Sequence, residues 1–339
     1  MYSFRNDYNT ICAPKVLDAI VKFNSEQNIG YGEDYHTKNV NEILRKLTKK
    51  NVDSYILAGG TMTNIVGLCQ IMKMPFEAVM GVHTAHINVH ETGAIESSGH
   101  KIIHLNGENG KVVPSEVKDV YYKYIDHHMV KPKVVYISNS TEIGTIYTKE
   151  ELISLRKVCD ELGLYLFLDG ARLGIALTAQ GNDLTLADIA TYTDMFYIGG
   201  TKCGAPYGEC LVIVNDDLKA DMKYLIKNKL ALLSKGFVGA ICFEALLTND
   251  YYLELASHAN KCAEVLRNAL KDYIYYDNPT NQVFIKVKKS ISEALALNYS
   301  FELWEPVNET EEVIRLVTSY STDMQMVEKF IKDFNKISE

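Results

Sequence analysis

The sequence predicts an α/β protein, with a mainly parallel seven-stranded sheet covered by helices on both faces and a smaller α+β unit after it. Three observations carry that expectation. Seven short β-rich apolar runs recur at 55–57, 78–82, 102–105, 134–138, 164–168, 195–198 and 211–214. Helical patterns separate many of them. After about residue 235 the pattern changes to longer helical stretches, 251–270 and 323–336, around short strand candidates at 283–287 and 314–318. Strands alternating with helices build a parallel sheet buried on both faces.

The clearest helix is predicted over 149–162. Leu152, Leu155, Cys159 and Leu162 share one face, Thr148 and Glu151 are spaced as a capping box, and Gly163 stands as the C-terminal stop. A chain of 339 residues exceeds the size at which one core stops growing, so a large domain with a smaller companion is expected.

Composition narrows the function classes. Hydrophobic residues at 47% and charged residues at 23% are the proportions of a globular protein, not of a disordered or fibrous one. A net charge of −8 opposes long-range attraction to nucleic acid or an anionic membrane, while a local pocket can still hold one phosphate. The first residues lack a basic stretch leading into an apolar one, and no run of roughly 18 apolar residues follows, so a cytoplasmic protein is expected. Seven scattered cysteines without a C-x-x-C pair indicate neither a disulfide framework nor a thiolate zinc site.

In open parallel sheets ligands bind beyond the carboxyl ends of the strands, and three strand exits stand out. Ala58-Gly59-Gly60-Thr61-Met62-Thr63-Asn64 leaves a strand and opens a helix. Its glycines admit close backbone approach, and the free N–H groups with the hydroxyls of Thr61 or Thr63 suit a phosphate. The plainer reading is a glycine turn with a threonine N-cap. Asp169 ends the run 164–168 and begins Asp169-Gly170-Ala171-Arg172. A carboxylate there needs a cation or proton donor, either a protonated pyridine nitrogen or Arg172. Lys202 sits in Gly199-Gly200-Thr201-Lys202-Cys203-Gly204 just after an apolar strand, where desolvation favours the neutral amine that attacks an aldehyde.

Cradle, aspartate and lysine in that order form the constellation of fold-type I enzymes that use pyridoxal 5′-phosphate. The chain resembles the threonine aldolase and β-eliminating lyase family, especially its bacterial low-specificity branch, along nearly its whole length. The resemblance rests on Phe4-Arg5-Asn6-Asp7, Tyr31-Gly32-Glu33-Asp34, Gly60-Thr61-Met62, Thr84-Ala85-His86 with Glu91 and Gly93, and Thr141-Glu142-Ile143-Gly144-Thr145. It continues through Asp169-Gly170-Ala171-Arg172, Gly199-Gly200-Thr201-Lys202 and Ile314-Arg315-Leu316-Val317-Thr318.

The resemblance implies an aspartate aminotransferase-like fold. It divides the chain into an N-terminal segment 1–15 contributing to the active site, a cofactor domain 16–240 and a small domain 241–339. It implies a Schiff base of the cofactor on Lys202, Asp169 at the pyridine nitrogen, His86 against the ring, and Gly60, Thr61 and Met62 at the phosphate. Lys235 is a further candidate near phosphate. Arg172 and Arg315 match positions that bind the substrate carboxylate, Asn6 and Tyr31 match positions near the substrate, and Glu91 is expected to handle water or a proton. It further implies aldol cleavage of L-threonine, L-allo-threonine or a related β-hydroxy-α-amino acid to glycine and an aldehyde. β-Elimination or racemisation, and cofactor binding without turnover, are the alternatives. A homodimer or homotetramer with sites at the dimer interface is also implied.

Two departures from the family bear on substrate preference. The other branch has an asparagine-threonine-histidine motif where this chain reads Asn139-Ser140-Thr141-Glu142, and Asn6 stands where relatives often have serine. His83, His86 and His90 invite a metal reading, but the H-E-x-x-H order and an evident third ligand are missing, so no metal is expected. Lys131-Pro132-Lys133 reads as a solvated loop before a strand, not a nucleic-acid patch.

Overall fold

A computed structural model describes residues 1–338. Its main sheet contains β2 (Asp53–Leu57), β3 (Glu77–Val82), β4 (Lys101–Leu105), β5 (Lys131–Ser138), β6 (Tyr165–Asp169), β7 (Met195–Gly199) and β8 (Glu209–Ile213). The short β1 (Tyr2–Ser3) precedes them. The seven strands run in the order β2-β8-β7-β6-β5-β3-β4. Only β8 is reversed, antiparallel to both β2 and β7. The chain has just residues 200–208 between β7 and β8, too few for the crossover a parallel neighbour needs.

The predicted helix appears as Lys149–Leu162 with both halves of the Thr148–Glu151 capping box and Gly163 left-handed at φ 66°. The Lys131 to Lys133 stretch differs from its expectation: it is the start of β5, with Lys131 opposite Glu77. A register shift at Ala78/Val79 lets the strand carry Pro132 there, the position near a strand start or bulge that tolerates a missing N–H.

A second sheet of four antiparallel strands has the order β12-β13-β10-β9. It consists of β9 (Ile274–Tyr276), β10 (Gln282–Lys288), β12 (Glu302–Pro306) and β13 (Glu311–Val317). The two-residue β11 (Tyr299–Ser300) pairs instead with β1 in parallel. Two apolar cores result, and they meet along the helix Tyr251–Ala269 rather than at residue 240. Its Tyr252, Leu255 and Ala259 belong to the first core, and its Cys262, Ala263 and Leu266 to the second. The helix Phe237–Leu247, which straddles 240, packs into the first core.

The N-terminal segment ties the second sheet to the first. Phe4 is wholly buried in the second core; its N–H donates to Ser300 O at 2.7 Å and its carbonyl accepts from Val317 N at 2.7 Å. Further on, Ala13 N donates to Gly204 O at 2.8 Å, in the loop after Lys202. Between these anchors Asp7 is carried to the carboxyl ends of the main strands. Among the described residues no helix is long and apolar enough to cross a membrane.

Candidate active site at the strand ends

Two glycines bring the aspartate and lysine exits together. A Cβ on Gly170 would lie 1.8 Å from Tyr197 O, and one on Gly199 would lie 2.2 Å from Ala171 O. Only residues without a Cβ let the β6 and β7 exits cross this closely, and Gly199 N–H seals the crossing on Gly170 O at 2.9 Å.

Asp169 does not pair with Arg172. Its Oδ1 accepts from Ala171 N at 2.9 Å, its Oδ2 accepts from Asn64 Nδ2 at 3.2 Å, and the Tyr136 hydroxyl also donates to Oδ2. Burial pulls this carboxyl upward, but the imidazole of His86 and the hydrogen bonds from Tyr136, Tyr197 and Ala171 hold it below its ordinary value. It is therefore an anion built into the floor of the site.

Lys202 is surrounded by charge but makes no hydrogen bond among the described residues. Burial lowers the pKa of its amine and the Arg172 guanidinium lowers it further, against the pull of Asp7, Asp169 and Glu209. The shift is in the direction a nucleophilic amine requires.

Asn64 also donates to Glu91 Oε1 at 2.7 Å, and the same oxygen meets His86 Nδ1 at 2.7 Å. A carboxylate only accepts, so Nδ1 carries the hydrogen and Nε2 of a neutral ring keeps its lone pair. The Glu91 side chain is 0% exposed and that of His86 35%, which limits Glu91 to acting through the ring. The His86 backbone N–H donates to Glu142 Oε1 at 3.0 Å, and Ser138 donates to the same oxygen at 2.7 Å. Burial raises the Glu142 carboxyl above its ordinary range.

Two guanidiniums join the cluster, Arg172 acting on both Lys202 and Arg315. Arg172 is held by Asp7 through Nε at 2.7 Å and Nη2 at 3.0 Å, and Asn281 donates to the same carboxylate at 2.9 Å. Arg315, on β13, donates from Nη1 to the neutral Gln282 Oε1 at 3.2 Å and lies 5.0 Å from the Trp304 ring centre. Its Nε is buried without a partner. Burial and the like charge of Arg172 push its pKa down to about 10, as expected of a cation that lacks its anion.

The helix Gly60–Ile71 begins at Gly59 without any side-chain cap, so its first N–H groups are free for an anion. Of the two hydroxyls offered by the sequence, that of Thr63 is committed, donating to Gly59 O at 2.9 Å. Thr61 and Met62 are half-buried at the helix start. Asn6 turns its Oδ1 to Tyr8 N at 3.1 Å in a local turn beside Asp7. His83 Nδ1 faces Asn106 O at 3.2 Å, and the one His/Cys/Asp/Glu group near metal-binding spacing among the described residues is the exposed Asp126, His127 and His128.

Two predicted residues lie elsewhere in the chain. Tyr31 is half-exposed, its N–H bonded to Ser234 O at 3.2 Å next to the exposed Lys235. Among the described residues no hydrogen bond or ion pair joins either to the Lys202 cluster. Asp7, Asn64, Tyr136, Glu142, Gln282 and Glu209 were not singled out by the sequence. Of these Asp7, Asn64 and Glu142 lay inside recognisable motifs; the rest are single polar residues inside apolar strands.

A pyridine-phosphate cofactor fits this ground plan. The cluster's own residues carry buried polar atoms without a protein partner, among them Asn64 Oδ1, Glu91 Oε2, Glu142 Oε2 and Arg315 Nε. Such atoms are rare in a native interior unless a ligand or water meets them.

Residues 3–290 match the family described as beta-eliminating lyase. The chain is 30% identical to a low specificity L-threonine aldolase of Pseudomonas aeruginosa over 98% of its length and 96% of that protein. It is 26% identical to the Escherichia coli protein of the same description, covering 94% and 93% of the two chains. The solved Leishmania major threonine aldolase superposes with a TM-score of 0.98 at 39% identity, over 100% of both chains. A Thermus thermophilus aspartate aminotransferase with maleate shares the fold, with a TM-score of 0.71 at 15% identity over 99% and 91% of the two chains. With the site's geometry and these likenesses in agreement, the chain belongs to the beta-eliminating lyase family.

Proposed function

We propose that the protein cleaves L-threonine, L-allo-threonine or a related β-hydroxy-α-amino acid to glycine and an aldehyde, using pyridoxal 5′-phosphate attached through Lys202. The observation that carries this reading is one cluster that holds a depressed lysine and a floor carboxylate, Lys202 and Asp169, together with two guanidiniums of which one lacks an anion.

In this reading the Lys202 amine would hold the cofactor aldehyde, Asp169 would keep the ring nitrogen protonated, and Gly60, Thr61 and Met62 would offer backbone N–H groups to the phosphate. His86, held by Glu91, would meet the ring. When bound, the cofactor supplies an aldehyde for the substrate amine and a ring that accepts the electrons of the broken bond. Arg315 and the free edge of Arg172 take the α-carboxylate, a fork-to-carboxylate match that fixes rotation about the Cα bonds. His86 Nε2 is the base for the β-hydroxyl, with Glu91 stabilising the charge the ring gains. The half-buried ring leaves that nitrogen the one accessible base of the group.

A second copy of the chain completes the site in this reading, meeting Tyr31 and Lys235 at the dimer interface of a homodimer or homotetramer. Incubation with L-threonine should release glycine and acetaldehyde in equal amounts, and borohydride treatment with peptide mapping should label Lys202. Pyruvate from serine without acetaldehyde from threonine would favour β-elimination, and a racemised amino acid would favour racemisation; either replaces this reading. An unlabelled Lys202 removes its basis.

A further inference from the structure

Arg315 differs from Arg172 in what holds it. It stands on β13 directly opposite Glu302 of β12, yet the Glu302 carboxylate is turned to Arg5 Nε at 3.1 Å. Asp7 is engaged with Arg172. Among the described residues no ion pair joins Arg315 to a carboxylate. Two neutral side chains, Gln282 and Trp304, hold it instead.

Gln282 opens β10 and is 0% exposed. Its Oε1 accepts from Arg315 Nη1 at 3.2 Å, and its Nε2 reaches Thr141 O at 3.5 Å. A guanidinium only donates and a backbone carbonyl only accepts, so the two partners leave the amide one orientation. The far partner is itself fixed. Thr141 O also accepts from Gly144 N at 2.9 Å, and Gly144 O accepts from the Thr280 hydroxyl at 2.9 Å. Gln282 thus anchors the guanidinium to a turn that the β10 approach already grips.

Trp304 reaches Arg315 through an irregularity of its strand. Leu303 opposes Ile314 and Glu305 opposes Val313, which makes Trp304 the extra residue of a bulge in β12. A bulge re-aims the side chain it carries. The ring centre lies 5.0 Å from Arg315 Cζ. The buried Phe284 meets the indole edge to face, with centroids 5.0 Å apart and planes at 73°.

A carboxylate in either place would fill the guanidinium fork, as Asp7 does on one edge of Arg172. An amide oxygen and an aromatic face attract a cation without cancelling its charge. The Nε of Arg315 keeps no partner inside this arrangement. We propose that Gln282 and Trp304 form a neutral cage that sets the strength with which Arg315 takes the α-carboxylate of the amino acid. Neither touches the substrate in this role. Both are positioning residues that act through Arg315, and the proposal rests on the reading of Arg315 as the carboxylate's partner.

The test compares glycine with methylamine, two amines that differ by the carboxylate alone, titrated into the holoenzyme and followed by the cofactor's visible absorbance. Gln282→Glu supplies Arg315 with an internal anion and should weaken glycine by about 30-fold, with methylamine unchanged. Trp304→Leu removes the aromatic face from an edge strand and should weaken glycine by about fivefold, again with methylamine unchanged. Trp304→Phe should restore most of that loss. Equal weakening of both amines, the result of a merely structural role, overturns the proposal. So does unmoved glycine binding in Trp304→Leu, whether or not the Gln282 variant folds. Arg315→Gln separates the two readings: a loss confined to glycine keeps Arg315 as the carboxylate's partner even where the cage fails, and unaltered glycine binding overturns both.

Discussion

Asp7 grips Arg172 along one edge of its guanidinium, Oδ2 to Nε at 2.7 Å and Oδ1 to Nη2 at 3.0 Å, with the carboxylate fully buried and the arginine side chain 13% exposed. One edge of the arginine is thereby spent within the protein and the other is aimed.

Replacing Asp7 with asparagine leaves a buried guanidinium without its anion. We expect a loss of about 3 kcal/mol in denaturant unfolding and a KM for amino acid raised by about tenfold. The pH dependence follows from the direction of the Asp7 shift. Burial would raise this carboxyl, but Arg172 and Lys202 reverse that and hold it below its ordinary value. Its contribution is complete above the unfolded-state value of about 3.9 and fades as pH falls toward the folded one. Acid titration of stability should therefore be shallower for Asp7→Asn than for the wild type.

Arg315 presents the converse case, a buried cation with a neutral partner and an idle Nε. In Arg315→Gln the KM should rise by roughly 100-fold, the equivalent of about 2.7 kcal/mol. Thermal stability should hold or improve, because an unpaired buried charge has been removed. A large drop in melting temperature would mean that Arg315 serves the fold and not the ligand.

Glu91, with its side chain fully buried, meets the substrate side only through the imidazole it orients. Glu91→Gln should lower kcat by about 10- to 100-fold with little change in KM. Steady-state kinetics on the cofactor-loaded variant check this split, and a KM effect alone would contradict it.

Gly170 permits the crossing of the two strand exits. Gly170→Ala places a methyl 1.8 Å from a backbone carbonyl that cannot give way, so we expect a loss of more than about 3 kcal/mol. Cofactor absorbance should fall together with stability, since Asp169 and Lys202 would be forced apart.

Much of this was legible in the chain because strands and their exits leave strong local marks. Runs such as 195–198, followed by glycines and a lone lysine, locate β7 and Lys202 directly. The reversal of β8 was also written in the short span 200–208, though apolar content alone does not reveal strand direction. What stayed hidden depends on distant partners. Asn64 looks like any helical asparagine until Glu91 and Asp169 are folded onto it, and Tyr136 and Glu209 pass as ordinary members of interior strands. β12 carries no continuous apolar run, because Glu302, Glu305 and Pro306 interrupt it; as an edge strand it tolerates all three. Tyr31 and Lys235 carry motif signals, yet within one chain they sit together at a different corner.

The pairing of β1 with β11, and of Phe4 with Val317, has a consequence for biosynthesis. The segment that delivers Asp7 is translated well before its partners Tyr299 and Val317. Until Tyr299 and Val317 emerge, a nascent chain can fold its main sheet but has nowhere to dock the segment around Phe4, so Asp7 reaches Arg172 only after both sheets have been translated.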